Sequence, residues 1–177
     1  MREDRPMTDS PIPTPGALPQ PCVSAASPAV PPVETGVTLS RPLSVDASRT
    51  VTFLGEDLRV YATYALIRDL EYACRDLLVG HLPAGWDSVG TQVNLDHKAA
   101  SPLGARVRLG VTLARVEGAR VTFAVQAHDE VGLIAEGSHE RFMAPVDSFA
   151  RRLQARARPA APPPPSPKPA QGLGAVF

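Results

Sequence analysis

The sequence predicts an α+β fold, an antiparallel sheet curled around one long central helix. Three observations carry the prediction. Residues 63–79 repeat apolar side chains at the helical period, and residues 88–143 hold four runs of strand-like alternation joined by short turns. Of the 20 prolines, only Pro83, Pro102 and Pro145 fall between residues 43 and 158.

The remaining prolines set the boundaries: ten lie in residues 1–42 and seven in 159–169. These flanks have too few large apolar side chains to offset the entropy of ordering them. They read as disordered Pro-rich tails, 1–42 and 159–177, around a single domain at 43–158. Translation from Met1 or from Met7 fits equally well.

Within the domain, residues 44–54 (SVDASRTVTFL) carry enough Val, Thr and Phe for an opening strand. Residues 55–62 turn the chain towards the helix, for which Thr63 is a plausible N-cap. On that helix Ile67, Leu70, Cys74, Leu77 and Leu78 form the apolar stripe, while Arg68, Asp69, Tyr72, Arg75 and Asp76 form the solvated side. The loop HLPAGWD (81–87) ends it. In the strand at 88–100 one face reads Val89, Thr91, Val93, Leu95, His97 and Ala99; the other reads Gly90, Gln92, Asn94, Asp96 and Lys98. After the turn SPLG comes a strand at 105–116 with Val107, Leu109, Val111 and Leu113 on one side. Glu117-Gly118 marks a tight hairpin into Val121, Phe123, Val125 and Ala127. The last strand, 133–143, turns Glu136, Ser138 and Glu140 outward. A closing helix at 147–158 is capped by Asp147 and anchored by Phe149 and Leu153.

Composition narrows the function classes. The 18 basic residues balance the 18 acidic ones, so nothing global points to nucleic acid or an anionic membrane. Arg151, Arg152, Arg156 and Arg158 read as cations on the closing helix. Cys22 and Cys74 are poorly placed for a structural disulfide, which fits a reducing compartment. No apolar run approaches the length of a membrane span, and the N-terminus lacks a signal-peptide h-region. The expectation is a soluble cytoplasmic protein that binds neither nucleic acid nor membrane.

Two residues contradict the pattern around them. Glu71 stands among the apolar helix positions, where a carboxylate must find a partner, keep its proton or reach water at the stripe's margin. His97 stands on the Val93/Leu95 face, which packs on the helix. Thr63, continued into the helical phase, falls on the same side. Hydroxyl, carboxylate and imidazole converging on one crevice are the groups acyl-transfer hydrolysis needs, although each has a bland account as cap, core or margin residue. His128 and His139 match no zinc spacing, and no phosphate-binding glycine motif is present, so neither metal nor cofactor is expected.

The blocks YAT…LEYAC, GTQVNLDHKAASPLG, LARVEGARVTFAVQAHD and EGSHER resemble the fluoroacetyl-CoA thioesterase family of single-domain acyl-CoA thioesterases. The likeness spans roughly residues 60–153. It implies a hotdog fold acting as a homodimer, or a dimer of dimers, with acyl-CoA as substrate and sites at the subunit interface. It implies Thr63, Glu71 and His97 as catalytic residues and Gly90 as the backbone N–H that polarises the thioester carbonyl. Arg141 and Lys98 are candidates to meet CoA phosphates, a structural salt link being the other role open to Arg141. The family's aromatic lid residue precedes the catalytic Thr, whereas this chain has Asp57 or Leu58 nearest that position. The leading reading is a thioesterase acting on a small acyl-CoA. A non-catalytic acyl-CoA-binding module is the alternative, and a hotdog hydratase fits the three residues less well.

Overall fold

A computed structural model describes residues 29–157. Most of the two Pro-rich tails, with Met7, Cys22 and Arg158, lies outside them. In chain order the elements are β1 (Thr38–Ser44), β2 (Thr50–Val51), β3 (Val60–Tyr61), α1 (Thr63–Val79), β4 (Trp86–His97), β5 (Arg106–Glu117), β6 (Arg120–His128), β7 (Leu133–Pro145) and α2 (Val146–Ala157). Five strands form one antiparallel sheet in the order β1-β5-β6-β7-β4, and β2 pairs with β3 beside it.

The sheet wraps α1. Leu66, Leu70, Ala73, Cys74 and Leu78 of the helix meet Leu109, Val111, Leu113, Val121, Phe123 and Val125 of β5 and β6 in one buried cluster. The β5–β6 hairpin closes through Gly118, whose φ of 57° is the left-handed geometry a two-residue turn needs. At Gly137, opposite Leu95, β4 and β7 approach so closely that a Cβ would overlap the Asn94 carbonyl oxygen. Gly137→Ala is therefore expected to cost about 1–3 kcal/mol of stability, measured as a drop in denaturation midpoint. An unchanged midpoint would show that the strands can part there at no cost.

Several elements differ from expectation. The opening strand is β1, residues 38–44, so the sheet takes in five residues assigned above to the tail. Pro42 is tolerated because β1 is an edge strand paired only with β5. Residues 45–54 instead form a 3-10 turn and the two-residue β2. Asp46 accepts from the Ser48 N–H (2.9 Å) and hydroxyl (2.6 Å), a local cap that competes with extended chain. Asp69 is not solvated but 6% exposed, accepting from the Tyr61 hydroxyl and from Arg49 Nε, both at 2.8 Å. Burial and that carboxylate push the Tyr61 phenol well above its ordinary value, keeping it a donor. Phe149 and Leu153 anchor little: they are 42% and 59% exposed, and no residue of α2 is buried.

Candidate functional site

Ala62 caps α1 without a side-chain bond, so Thr63 is the first helical residue and its hydroxyl is released from capping. Thr63 Oγ1 lies 2.9 Å from Nδ1 of His97, the last residue of β4. Both line a cleft of about 410 Å³ walled by Val51, Phe53, Val60 and Tyr64. Burial holds the His97 imidazole below its usual pKa, partly offset by a backbone hydrogen bond with Ala99, so the ring is neutral at neutral pH. Its Nε2 is buried and has no hydrogen-bond partner among the described residues.

Phe53 is the wall residue that pattern reading missed. It looks like a strand residue in SVDASRTVTFL, yet it is 88% exposed and lines the cleft, as does Tyr61 nearer to Thr63. Asp57 and Leu58 sit in a short 3-10 turn, and neither lines the cleft.

Glu71 is elsewhere. Its carboxylate neighbours Gly90, where a Cβ would stand 2.7 Å from Glu71 Oε1 and 3.1 Å from the His139 ring. Only glycine leaves that carboxylate its place. Arg141 is 2% exposed and donates from Nε to Ser88 Oγ and from Nη2 to the Ser88 carbonyl, both at 2.8 Å. Its Nη1 reaches Glu71 Oε1 at 3.4 Å. Arg141 is thus enclosed and linked to Ser88 and Glu71, which is the geometry of the structural link expected of it as one of two roles. Lys98 is paired with Glu136.

The chain therefore brings Thr63 to His97, and Glu71 to Gly90, but does not unite the two pairs. His97 lies seven positions along β4 from Gly90, on the order of 20 Å at strand rise. Strict alternation puts residues seven apart on opposite faces. The register of β4 against β7 shifts between Gly90 and Gln92, however, leaving Thr91 as an extra residue. Ser88 and Gly90 consequently face α1, as do Leu95 and His97 beyond the bulge. Gly90 was assigned above to the other face; the bulge corrects it.

Buried neutral imidazoles make stability pH-dependent. His97 and His139 are both depressed, chiefly by burial. Below about pH 6.5 the unfolded chain takes up protons that the folded chain refuses, so the unfolded state binds more protons and stability falls as pH falls. The melting temperature is expected to drop between pH 7.5 and 5.5, and to drop less in His97→Ala. Equal slopes in the two proteins would remove His97 from this account.

Among the described residues no three His, Cys, Asp or Glu side chains gather as metal ligands, and no helix is long and apolar enough to cross a membrane.

One long helix wrapped by an antiparallel sheet, with a Thr–His pair at the helix's first turn, defines a hotdog-fold protein of the thioesterase class. More narrowly, the chain belongs to the fluoroacetyl-CoA-specific thioesterase family, whose model matches residues 45–147. It is 35% identical over 95 residues to a fluoroacetyl-CoA thioesterase of Streptantibioticus cattleyicolor, covering 54% of this chain and 68% of that protein. A solved structure of a fluoroacetyl-CoA thioesterase superposes with a TM-score of 0.65 at 30% identity, over 71% of this chain and 98% of the other. A thioesterase-superfamily protein of Thermus thermophilus gives 0.63 at 33% identity, over 71% and 96%.

Proposed function

We propose that this chain hydrolyses a short acyl-CoA to the acid and free CoA, as a homodimer in which each site draws on both copies. Family and fold support thioester hydrolysis, and relatives named for fluoroacetyl-CoA support a short acyl group. The observation that carries the mechanism is the 2.9 Å contact between Thr63 Oγ1 and His97 Nδ1.

A neutral imidazole at that distance is a base for the hydroxyl. Thr63 Oγ attacks the thioester carbonyl as its proton passes to His97. The tetrahedral intermediate collapses, the C–S bond breaks, and CoA leaves as the thiol with the proton from His97. Water, deprotonated by the same ring, then attacks the acyl-threonine ester; the acyl C–O bond breaks, the acid leaves, and the proton on His97 returns to Thr63 Oγ. The Gly90 N–H stabilises the oxyanion in both halves, worth about 3 kcal/mol for one such donor. No cofactor enters the cycle, since CoA belongs to the substrate.

The dimer supplies what one chain separates. β4 is the sheet's outer strand, with one edge unpaired among the described residues. Antiparallel pairing of two such edges about Asn94, with Thr91 again the extra residue, sets Gly90 opposite the partner subunit's His97 and on the same face. Glu71 then stands beside the partner's His97, positioned to orient its ring and to accept from Nε2–H. The exposed Val93, at the centre of that edge, becomes interface. A dimer of dimers would leave this site unchanged. We place the work in the cytoplasm, in keeping with Cys74 as a buried free thiol.

A panel of acyl-CoAs, followed by thiol release with a thiol-reactive dye, tests the function. Release that disappears in Glu71→Gln is the expected result. Tight acyl-CoA binding without release from the native protein would replace the enzyme with a binding module.

A further inference from the structure

His139 takes no part in the chemistry above, yet it is among the most enclosed polar side chains of the domain, at 3% exposure. It lies on β7, opposite Val93 of β4. Its Nδ1 is 2.9 Å from the Gln92 carbonyl oxygen. A carbonyl only accepts, so Nδ1 carries the proton. Its Nε2 is 3.2 Å from Arg141 Nη1, which only donates, so Nε2 keeps its lone pair. Two neighbours thus fix one neutral tautomer, and a second proton would confront Arg141. The charged groups facing the ring are Arg141 and Glu71, and burial is the largest influence on its titration.

Both contacts lead to the candidate site. Gln92 is the residue at which the register of β4 resumes after the bulge, and Gly90 is the last residue before it. The ring's Cε1 also stands 3.1 Å from where a Cβ on Gly90 would be, against the glycine itself. Arg141, held from the other side by Ser88, extends the nitrogen that meets His139 towards the Glu71 carbonyl (3.3 Å) and carboxylate (3.4 Å).

We propose that His139 is a positioning residue: its Nδ1–H clamps the Gln92 carbonyl, fixing the bulge that aims the Gly90 N–H. The inference rests on the reading that Gly90 and Glu71 serve the reaction. Nothing is transferred to or from His139 itself, so its loss acts on kcat through geometry, not through the proton inventory.

Two substitutions separate its contacts. The amide nitrogen of asparagine overlays imidazole Nδ1, so His139→Asn keeps the donor to Gln92. The amide of glutamine overlays Nε2, so His139→Gln keeps a partner for Arg141 and loses the clamp. Turnover in His139→Asn is expected within about threefold of native, and kcat in His139→Gln lower by about thirtyfold or more with KM within about threefold. The acid limb of the pH–rate profile keeps its midpoint in both. Equal losses in the two variants, native turnover in His139→Gln, or a displaced acid limb would overturn the proposal.

A measurement on the native protein stands apart from whether the variants fold. The ring nitrogen chemical shifts of His139 are expected to report the Nδ1–H tautomer at neutral pH; an Nε2–H tautomer or an imidazolium there would overturn the clamp. Full activity in Glu71→Gln would sink the catalytic reading while leaving the tautomer result standing. An essential Glu71 with the wrong tautomer would sink the positioning proposal alone.

Discussion

Replacing His97 with alanine is expected to lower thioester turnover by about 10²–10⁴-fold while the protein still folds and associates. The ring is the one described base in contact with the Thr63 hydroxyl, and its pKa is held down chiefly by burial, which keeps it unprotonated. Little packing depends on it: His97 ends its strand, and its ring hydrogen-bonds only to Thr63 among the described side chains. Losing it should hardly touch the melting temperature at neutral pH. The native rate should in turn rise with pH through the titration of this ring, giving the profile an acid limb. Steady-state thiol release and a thermal melt on one preparation decide the matter; native turnover in the variant would end the assignment.

The second large effect concerns two inactive proteins mixed together. His97→Ala and Glu71→Gln are each expected to be nearly inert as homodimers. In a mixed dimer, one of the two sites would receive Glu71 and Gly90 from the His97→Ala chain and His97 and Thr63 from the Glu71→Gln chain. After free subunit exchange at equal amounts, about a quarter of native activity should return. Had both residues served the same site from the same chain, every site in every mixture would carry a lesion and nothing would return. The experiment thus reads the roughly 20 Å separation along β4 directly. Purified single variants and a time course of mixing suffice.

The central helix was legible from end to end because its period, its lack of proline and the glycine beyond it agree: residues 63–79 are helical as expected. Glu71 and His97 were legible as contradictions, a carboxylate in an apolar stripe and an imidazole on a packing face. What joins them was not. A bulge leaves no mark in a strand whose residues alternate acceptably in either phase, so the face of Gly90 came out wrong while that of His97 came out right. Asp69 misled for the opposite reason. At its helical position it looks like one more solvated charge, and its partners Arg49 and Tyr61 come from segments whose folding follows no local period. β1 was hidden by Pro42, a residue that argues against a central strand but not against an outer one. Phe53 resembled strand sequence, and only three-dimensional placement shows it on the rim of the cleft.

Cys74 has a bearing on how this protein survives its own substrates. An activated acyl group transfers readily to any accessible thiolate, so a reactive cysteine would leave the molecule open to self-acylation. Here the thiol is enclosed against α1's sheet-facing side and burial pushes it up to about 12. At pH 7 roughly one molecule in 10⁵ carries the ionised sulfur. The interior nucleophile is thereby kept chemically silent towards the acyl groups that a thioesterase meets.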